Sequence, residues 1–392
     1  MESTSEDSRK AFIKALLADQ FSRQVQRIEL TGGGNNNHVY YVYLDESSSD
    51  PQSLPSKPGL SPLPTETAKN EVAAISLIKD ALSAYPSRII PSVFGWGSDS
   101  SLGSALESYS WILEEFIPGE PLDKIFSALS SEQKRFIIQQ IAQHYGGLGF
   151  NAEGEVISGP LTIPLGGPFA TYEEIYMQNF VTQLKNAENS EMIDGWRDDD
   201  RLRKRLDIFH HRATIEDLLK PLEDRRRTLT HGDLDLQNIL IDPTTLHLTA
   251  LLDFDFSHIA SPADEFFYSF SLVHGILTGP FEEAEMELLR AAQLHGFAKI
   301  GELPSSASGD DSPVDWEVAK IWDEELTSAG VKKPSNITGI EELAALYWFC
   351  IDVCPPFFEM PRWLARRTPE QQKKAKNGAK ACLVKYLNRW NI

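Results

Sequence analysis

A hairpin predicted in the middle of the chain brings an amide and a carboxylate together at its open end. Ile239–Ile241 is strand-like, Asp242–Thr245 has the composition of a tight turn, and the alternating stretch Leu246–Ala250 favours a second strand. A hairpin closed at this turn places Asn238 and Asp253 next to each other. Since paired strands lie roughly 5 Å apart, we expect both side chains to reach one divalent cation.

A further acid, Asp233, lies five residues before Asn238 on the same loop. Carboxylate and amide oxygens are hard donors, which Mg²⁺ prefers while it keeps water or phosphate oxygens as its other ligands. Asp233 could then orient and deprotonate a hydroxyl group that attacks a phosphate. Taken singly, Asp233 and Asn238 are explained as well by the capping of turns, so the interpretation depends on the combination. Asp235 and Asp255 are weaker candidates for contact with metal or substrate.

The combined pattern resembles the catalytic loop and the metal-binding loop of the aminoglycoside phosphotransferase and choline kinase-like family. The matching residues occur along the chain in the order His231-Gly232-Asp233, Asn238 after four further residues, the hairpin, and Leu252-Asp253-Phe254. The resemblance is most specific across Thr228–Phe267 and extends loosely from about Phe21 to the C-terminus. It implies a protein-kinase-like fold and transfer of a phosphate group from ATP to the hydroxyl group of a small molecule.

The resemblance also implies a role for each matching residue. Asp233 corresponds to the catalytic aspartate, and His231 to a histidine that braces the loop. Asn238 and Asp253 correspond to the two ligands of Mg²⁺. Asp264 falls where the family has an acid that anchors the following helix, so it is expected to be part of the scaffold.

Two upstream segments are similar to the family's nucleotide-binding parts. The strand-like stretch Trp111–Gly119 resembles the hinge, where the backbone is expected to hold an adenine ring near Glu115, Phe116 and Ile117. The turn Gly32–Asn37 resembles the loop that covers the phosphates, with candidate contacts at Gly33, Gly34 and Asn35. Taken alone, each segment is also explained as an ordinary buried strand or turn. The chain has no Walker A sequence, which argues against a P-loop kinase.

A helix predicted over Thr67–Leu82 carries Glu71 on the same face as the apolar residues Ile75 and Ile78. A carboxylate in an apolar stripe is costly unless a cation or hydrogen bonds satisfy it. By resemblance, Glu71 corresponds to the acidic partner of a phosphate-binding lysine. The alternative is that Glu71 reaches water and needs no partner.

The lysine itself is not evident in the sequence. The family carries it on a strand before this helix, but the Ser- and Pro-rich stretch Ser47–Pro64 predicts a surface loop. The only basic residues between the second predicted strand and Glu71 are Lys57 and Lys69. Either the strand is shortened, or one of these lysines substitutes, or phosphate binding is impaired.

The order of predicted elements indicates an α+β, two-lobed protein-kinase-like fold. Strand, turn, strand, helix and a further strand precede Pro118-Gly119, a natural break. We therefore expect residues 1–117 to form a nucleotide-binding lobe with a small antiparallel sheet and a helix. Residues 118–392 are expected to form a larger, mainly helical catalytic and substrate-binding lobe.

The composition is that of a folded globular protein, with 392 residues of which 41% are hydrophobic and 24% are charged. A net charge of −20 disfavours nucleic acids and anionic membranes as partners. The sequence contains no run of eighteen apolar residues, so no membrane span is predicted. The acidic N-terminus lacks the features of a secretory signal, and three cysteines form no framework, so a cytoplasmic location is expected.

Three functions stay open at this point. The leading hypothesis is an ATP-dependent phosphotransferase that requires Mg²⁺ and acts on a hydroxyl group of a small molecule. The alternative is a kinase-like nucleotide-binding or regulatory protein whose catalysis is impaired because the usual phosphate-binding lysine before Glu71 is not evident. A metal-dependent hydrolase is the third. The sequence does not specify the acceptor, because related folds host different acceptors by changing their C-terminal helices.

Overall fold

The computed structural model divides into two compact units. The first contains the chain up to Leu129 together with Leu236–His258, and the second contains most of the rest. The predicted division into functional lobes at residue 117 stays a prediction. The structure describes residues 2–31, 38–45, 56–61, 65–82, 89–99, 109–148, 161–163, 166–211, 214–301 and 312–392.

The first unit is built on a five-stranded sheet in which every neighbouring pair of strands is antiparallel. The elements of this unit are α1 (Glu2–Phe21), β1 (Val25–Leu30), β2 (His38–Leu44), β3 (Ser56–Ser61), α2 (Thr65–Ala81), β4 (Val93–Asp99), β5 (Tyr109–Glu115), β6 (Glu120–Pro121), β10 (Ile239–Ile241) and β11 (Leu248–Leu251). The strand order in the large sheet is β1-β2-β3-β5-β4. A second, smaller sheet has the order β11-β10-β6.

The two helices of this unit bury the faces that their sequence periodicity predicts. On α2, Ile75 and Ile78 are buried and Glu71 on the same face is half-buried. Alternate residues of β2 and β5 point to one face of the sheet, and α1 packs against that face. The residues in this contact are Ile13, Leu16 and Leu17 with Tyr40, Val42, Trp111 and Leu113.

Strand β3 shows that the expectation of a loop over Ser47–Pro64 is wrong for Ser56–Ser61. This segment pairs with β2 on one side and with β5 on the other. Lys57 therefore lies on a strand that precedes α2, opposite Glu114 of β5. A strand therefore precedes the helix that carries Glu71, although none was expected from the sequence. Strand β4, at the edge of the sheet, was also not predicted.

The predicted hairpin is confirmed as β10 and β11. Ile239 pairs with Leu251 and Leu240 pairs with Ala250. The turn is fixed by Asp242, whose carboxylate accepts a hydrogen bond of 2.8 Å from the Thr244 N–H. This bond and a second one from the Thr245 N–H lower the pKa of Asp242. An Asp at this turn position therefore sets the register that the alternating apolar residues require.

The second unit is mainly helical. Its helices pack around a cluster of aromatic rings that includes Phe180, Phe209, Phe349 and Tyr386, with the Phe209 and Phe349 ring centroids 4.7 Å apart. The elements of this unit are α3 (Ser131–Leu148), β7 (Leu161–Ile163), β8 (Gly166–Phe169), α4 (Tyr172–Asn189), α5 (Asp200–His211), α6 (Thr214–Leu219), β9 (Thr228–Thr230), β12 (His258–Ala260, of which the last two residues belong here), α7 (Glu265–Tyr268), α8 (Ala284–His295), α9 (Trp316–Ser328), α10 (Ile340–Val353), α11 (Pro361–Ala365) and α12 (Pro369–Arg389).

The cysteines behave as packing residues. Cys350 and Cys354 are buried, Cys382 is partly buried, and all three carry free thiols. Burial raises the pKa of each thiol above its ordinary value. Among the described helices, none is both long enough and apolar enough to cross a membrane.

Candidate active site

The loop that contains His231 and Asp233 follows strand β9 in the second unit. Gly232 has a φ of +79°, a conformation that glycine adopts without strain. The Asp233 N–H donates a hydrogen bond of 3.3 Å to Nδ1 of His231, whose side chain is fully buried. A neutral imidazole that accepts at Nδ1 carries its proton on Nε2, so this bond fixes both the ring and the loop. The bracing role assigned to His231 stays a prediction, with this contact as its physical basis.

Sequence reasoning missed Glu265, which holds this loop from the start of α7. Its carboxylate is 1% exposed and accepts hydrogen bonds from the N–H groups of His231, at 2.7 Å, and Gly232, at 3.0 Å. The Ser269 hydroxyl donates a third, short bond. Burial raises the pKa of Glu265, while these donors oppose the shift by favouring the carboxylate. Glu265 thus fixes the backbone immediately before Asp233.

The preceding acid, Asp264, has the scaffold position expected of it. It accepts hydrogen bonds from the hydroxyls of Tyr176, at 2.9 Å, and Tyr172, at 3.3 Å, both on α4. Burial raises the pKa of Asp264 to about 7. Two consecutive acids before the apolar pair Phe266-Phe267 were a visible signal in the sequence. Only the structure shows that the first acid faces α4 and the second faces the loop.

Asp235, a weaker candidate for contact with metal or substrate, is instead held by backbone groups within the second unit. Its carboxylate accepts hydrogen bonds of 3.1 Å from the N–H groups of Ser271 and Leu272, and a short one from the Ser271 hydroxyl. The Asp235 N–H in turn donates to the Asp233 carbonyl at 3.0 Å. Asp235 therefore fixes the loop just after Asp233.

In the first unit, Asn238 and Asp253 both lie at the open end of the hairpin, as the sequence predicts, whereas their convergence on a cation stays a prediction. The Leu252 N–H donates to the Asn238 carbonyl at 2.9 Å, which continues the β10–β11 pairing by one step. Asp253 follows with a φ of +67°, a left-handed conformation that Asp tolerates better than most residues. The next side chain, Phe254, is buried, whereas Asp253 is exposed. The turn thus leaves one carboxylate at the surface beside the end of β10.

This pair of oxygen donors fits a magnesium ion. Asn238 supplies an amide and Asp253 a carboxylate, and Mg²⁺ is usually bound by one or two protein ligands together with water and phosphate oxygens. Within the described part of the chain, no group of three or more His, Cys, Asp or Glu side chains could hold a metal ion alone. A cation held by Asn238 and Asp253 would need water or phosphate oxygens as its remaining ligands.

Helix α2 is tied to the loop that follows Asp253. The side-chain amide of Asn70 donates a hydrogen bond of 2.6 Å to the Ser257 carbonyl. Asp255, another acid proposed near the site, is buried within this loop at 4% exposure. Since Glu71 is the next residue after Asn70, the bond also fixes the turn of α2 that carries Glu71.

The predicted hinge residues follow β5. The Glu115 N–H donates to the Ser92 carbonyl at 2.8 Å, and the Ser92 N–H donates to a Glu115 carboxylate oxygen at 3.0 Å. The Phe116 ring packs edge-on against Tyr41 of β2 with 5.1 Å between centroids. Ile117 is half-buried. The bonds of Glu115 to Ser92 and the contact of Phe116 with Tyr41 thus hold this segment in place.

Gly119, at the end of this segment, is required by close packing. A Cβ atom there would lie 2.5 Å from Thr249 Oγ1 and 3.0 Å from Leu240 Cβ. The remaining predicted nucleotide contacts, Gly33, Gly34 and Asn35, lie outside the described residues. The roles assigned to the catalytic, metal-binding and nucleotide-binding residues of the site all stay predictions.

Comparison with known proteins identifies the family. A sequence profile of the phosphotransferase enzyme family, APH, matches residues 27–303. The chain belongs to this family. No curated protein matches the chain.

Solved structures of aminoglycoside phosphotransferases are among those similar to this APH-family chain. The GDP and kanamycin complex of APH(2'')-IIIa is 14% identical, with a TM-score of 0.46, over 95% of this chain and 98% of that chain. A GDP complex of a mutant aminoglycoside 2'-phosphotransferase-IIIa is also 14% identical, with a TM-score of 0.47, over 95% and 97%.

Membership in the APH family confirms the resemblance stated from the sequence, and it supports a phosphotransferase. The predicted fold class is confirmed as well, with a small antiparallel sheet near the N-terminus and a mostly helical remainder. The matched region contains the catalytic-loop and hairpin residues, whereas α1 and α9–α12 lie outside it.

Proposed function

We propose that this protein transfers the γ-phosphate of ATP to a hydroxyl group of a small molecule and requires Mg²⁺. The observation that supports the proposal is the β10–β11 hairpin, which has both Asn238 and Asp253 at its open end, while Asp233 lies five residues before Asn238 in the sequence. Family membership supplies the reaction class. The donor set and the acid at this spacing match what phosphoryl transfer needs, namely a bound cation and a group that positions the nucleophile.

In the proposed reaction, Asp233 is the general base. Its carboxylate orients the acceptor hydroxyl and takes the proton as the hydroxyl oxygen bonds to the γ-phosphorus. The bond between that phosphorus and the bridging oxygen breaks, and ADP leaves with the electron pair. Asn238 and Asp253 would hold Mg²⁺, which when bound neutralises the negative charge of the phosphates. His231 keeps the Asp233 backbone in place.

The nucleotide is proposed to contact residues of the first unit. The adenine ring would bind to backbone groups at Glu115–Ile117, and Gly33, Gly34 and Asn35 would approach the phosphates. Lys57 on β3 has the position in the chain order that the family gives its phosphate-binding lysine, before the helix that carries Glu71. The alternative is a kinase-like regulatory protein with impaired catalysis, suggested because the usual phosphate-binding lysine is not evident in the sequence before Glu71. Strand β3 offers Lys57 as a candidate for that lysine, which favours the phosphotransferase.

The proposal is tested by nucleotide binding and turnover in the same preparation. ATP should raise the melting temperature in the presence of Mg²⁺ and less in its absence, because a ligand that binds only the folded state stabilises it. A panel of small alcohols should then reveal acceptor-dependent ATP consumption. Asp233→Asn should lose about 10²–10⁴-fold in turnover and still bind ATP.

A matched control is Asp217→Asn, which removes an exposed carboxylate on α6 that pairs with Lys220. This variant should keep normal turnover. If ATP binds but Asp233→Asn turns over an acceptor at the wild-type rate, Asp233 is not the base. If neither binding nor turnover is observed with any nucleotide, the proposed function is wrong.

A further inference from the structure

The turn from Phe270 to His274 in the second unit has an uncommon backbone. Phe270 has a φ of 70° and His274 a φ of 56°, so both ends of the short 3₁₀ turn Ser271–Val273 are left-handed. Non-glycine residues adopt this conformation rarely, and a bulky aromatic residue does so only where the surroundings enforce it. Such conformations cluster at ligand-binding and catalytic sites, which makes this turn a candidate for function.

Packing and hydrogen bonds hold the turn in place. The Phe270 side chain is 1% exposed and lies with its ring centroid 4.6 Å from Trp322 and 5.0 Å from Tyr145. On the far side, Nε2 of His274 accepts a hydrogen bond of 3.0 Å from the N–H of Asp315, at the start of α9. The turn is therefore a rigid part of the unit.

The same turn is bonded directly to the loop that carries Asp233. The Phe270 N–H donates to the Leu234 carbonyl at 3.0 Å, and the Asp235 carboxylate accepts from the Leu272 N–H at 3.1 Å. Along this path the Cα atoms of Leu272 and Asp233 are separated by no more than about 15 Å. The side chains of Asp233 and Leu272 can cover several ångströms of this distance, which leaves a shorter gap for a small acceptor to span.

Leu272 is the side chain that this turn offers to a ligand. It is 45% exposed, whereas Phe270 and Val273 are buried. The hydroxyl of Ser271 is already bonded to Asp235, and the ring of His274 to Asp315. The group presented beside the catalytic loop is therefore an aliphatic one.

We propose that the turn Phe270–His274 forms one wall of the acceptor site and that Leu272 selects acceptors with an apolar group near the reacting hydroxyl. This inference rests on the proposed function. The physical reason is that an alkyl group packed on Leu272 leaves water, whereas a polar group there would lose hydration without a partner. A contact of this kind changes selectivity by about tenfold or more.

The test compares alcohols that differ in the alkyl group beside the hydroxyl, namely ethanolamine with leucinol and glycerol with 1,2-hexanediol. The ratio of kcat/KM within each pair is measured for the wild type and for Leu272→Ser. The wild type should prefer the alkyl-bearing member, and Leu272→Ser should reduce that preference about tenfold while KM for ATP stays the same. The matched control is Ile208→Ser, which changes another aliphatic residue, 41% exposed on α5. It should leave the ratio unchanged.

The outcomes separate the inference from the proposed function. If the wild type and Leu272→Ser both phosphorylate these alcohols with the same ratio of kcat/KM, the inference about Leu272 is wrong and the proposed function stands. An equal loss of preference in Ile208→Ser and Leu272→Ser also overturns it, because the effect would then not be local. A wild type that binds ATP with Mg²⁺ but phosphorylates no alcohol overturns the proposed function and, with it, the inference.

Discussion

Replacement of Glu265 by Gln tests whether the loop before Asp233 is held by one buried carboxylate. The carboxylate accepts three hydrogen bonds, from the N–H groups of His231 and Gly232 and from the Ser269 hydroxyl. In Glu265→Gln, one oxygen becomes an NH₂ group that can only donate. At least one of the two backbone N–H groups then faces a donor and loses its acceptor. An unsatisfied buried donor costs about 1–3 kcal/mol.

The variant should therefore lose about 1–3 kcal/mol in the free energy of unfolding, measured by urea denaturation. Its effect on catalysis should be larger than this loss explains. A displaced loop moves Asp233, and a misplacement of about 1 Å costs on the order of 10²-fold in rate. We expect kcat to fall by about 10–10²-fold at a temperature where the variant is folded. The dissociation constant of ATP should stay within about twofold, because the proposed nucleotide contacts lie in the first unit.

A control in the same unit is Glu325→Gln, which also converts a buried carboxylate to an amide. Glu325 is 7% exposed on α9 and accepts a hydrogen bond of 2.7 Å from Arg135. Its loss should destabilise the second unit without a bond to the loop being broken. If Glu265→Gln keeps the wild-type kcat, or loses no more activity than Glu325→Gln does, the carboxylate does not position the loop.

Three further perturbations follow from particular contacts. The pKa of Asp264 is about 7 in the folded protein, against an ordinary value of 3.8, so folding favours the protonated form. The free energy of unfolding of the wild type should therefore fall by about 1.4 kcal/mol per pH unit as the pH rises from roughly 4 to 7. Asp264→Asn should flatten this slope in urea titrations, and an unchanged slope would contradict the assignment. Gly119→Ala should lower the free energy of unfolding by about 1–3 kcal/mol in urea denaturation, because the new Cβ meets Thr249 Oγ1. The second substitution Thr249→Ala should recover part of this loss. If it recovers none, the clash is not the cause. Lys57→Ala and Asp253→Ala should each weaken Mg²⁺-ATP binding by about tenfold or more in calorimetry, and a normal affinity of Lys57→Ala would exclude this lysine from phosphate binding.

The hairpin was predictable because its signals are local. Alternating apolar residues define the two strands, and Asp242 stabilises the turn through its own neighbours. The position of Asn238 and Asp253 at the open end of the hairpin follows from that register. No long-range information was needed to bring these two residues to the same end of the hairpin.

Strand β3 was not predictable in the same way. It contains Pro58 and Gly59, which have low strand propensity, and Pro58 cannot donate a hydrogen bond to either neighbour. The segment is extended because β2 and β5 offer partners on both sides. That stabilisation comes from residues distant in the sequence, and it outweighs the local preference for a loop. Lys57 was therefore noticed as a lysine, but its place on a strand was not.

The supports of Asp233 were also hidden from the sequence. Asp264 and Glu265 are consecutive, and adjacent helical positions point in directions about 100° apart. Which of them faces the loop depends on where α4 places the tyrosines that bind Asp264. Similarly, Asp235 was a candidate ligand because it lies near the site. Its partners are more than thirty residues away. They are the backbone N–H groups of Ser271 and Leu272 and the Ser271 hydroxyl, which no sequence pattern marks.

Loop positioning and acceptor choice are separable in this arrangement. Glu265 fixes the backbone before Asp233, and Asp235 fixes it afterwards by accepting from the turn that ends the same stretch of chain. The turn donates through backbone N–H groups, so the bond to Asp235 does not depend on which side chain residue 272 carries. A change of Leu272 can therefore alter what the turn presents to an acceptor without removing a support of the base. In a family whose members share one reaction, such a position can vary with the acceptor while the loop it holds stays the same.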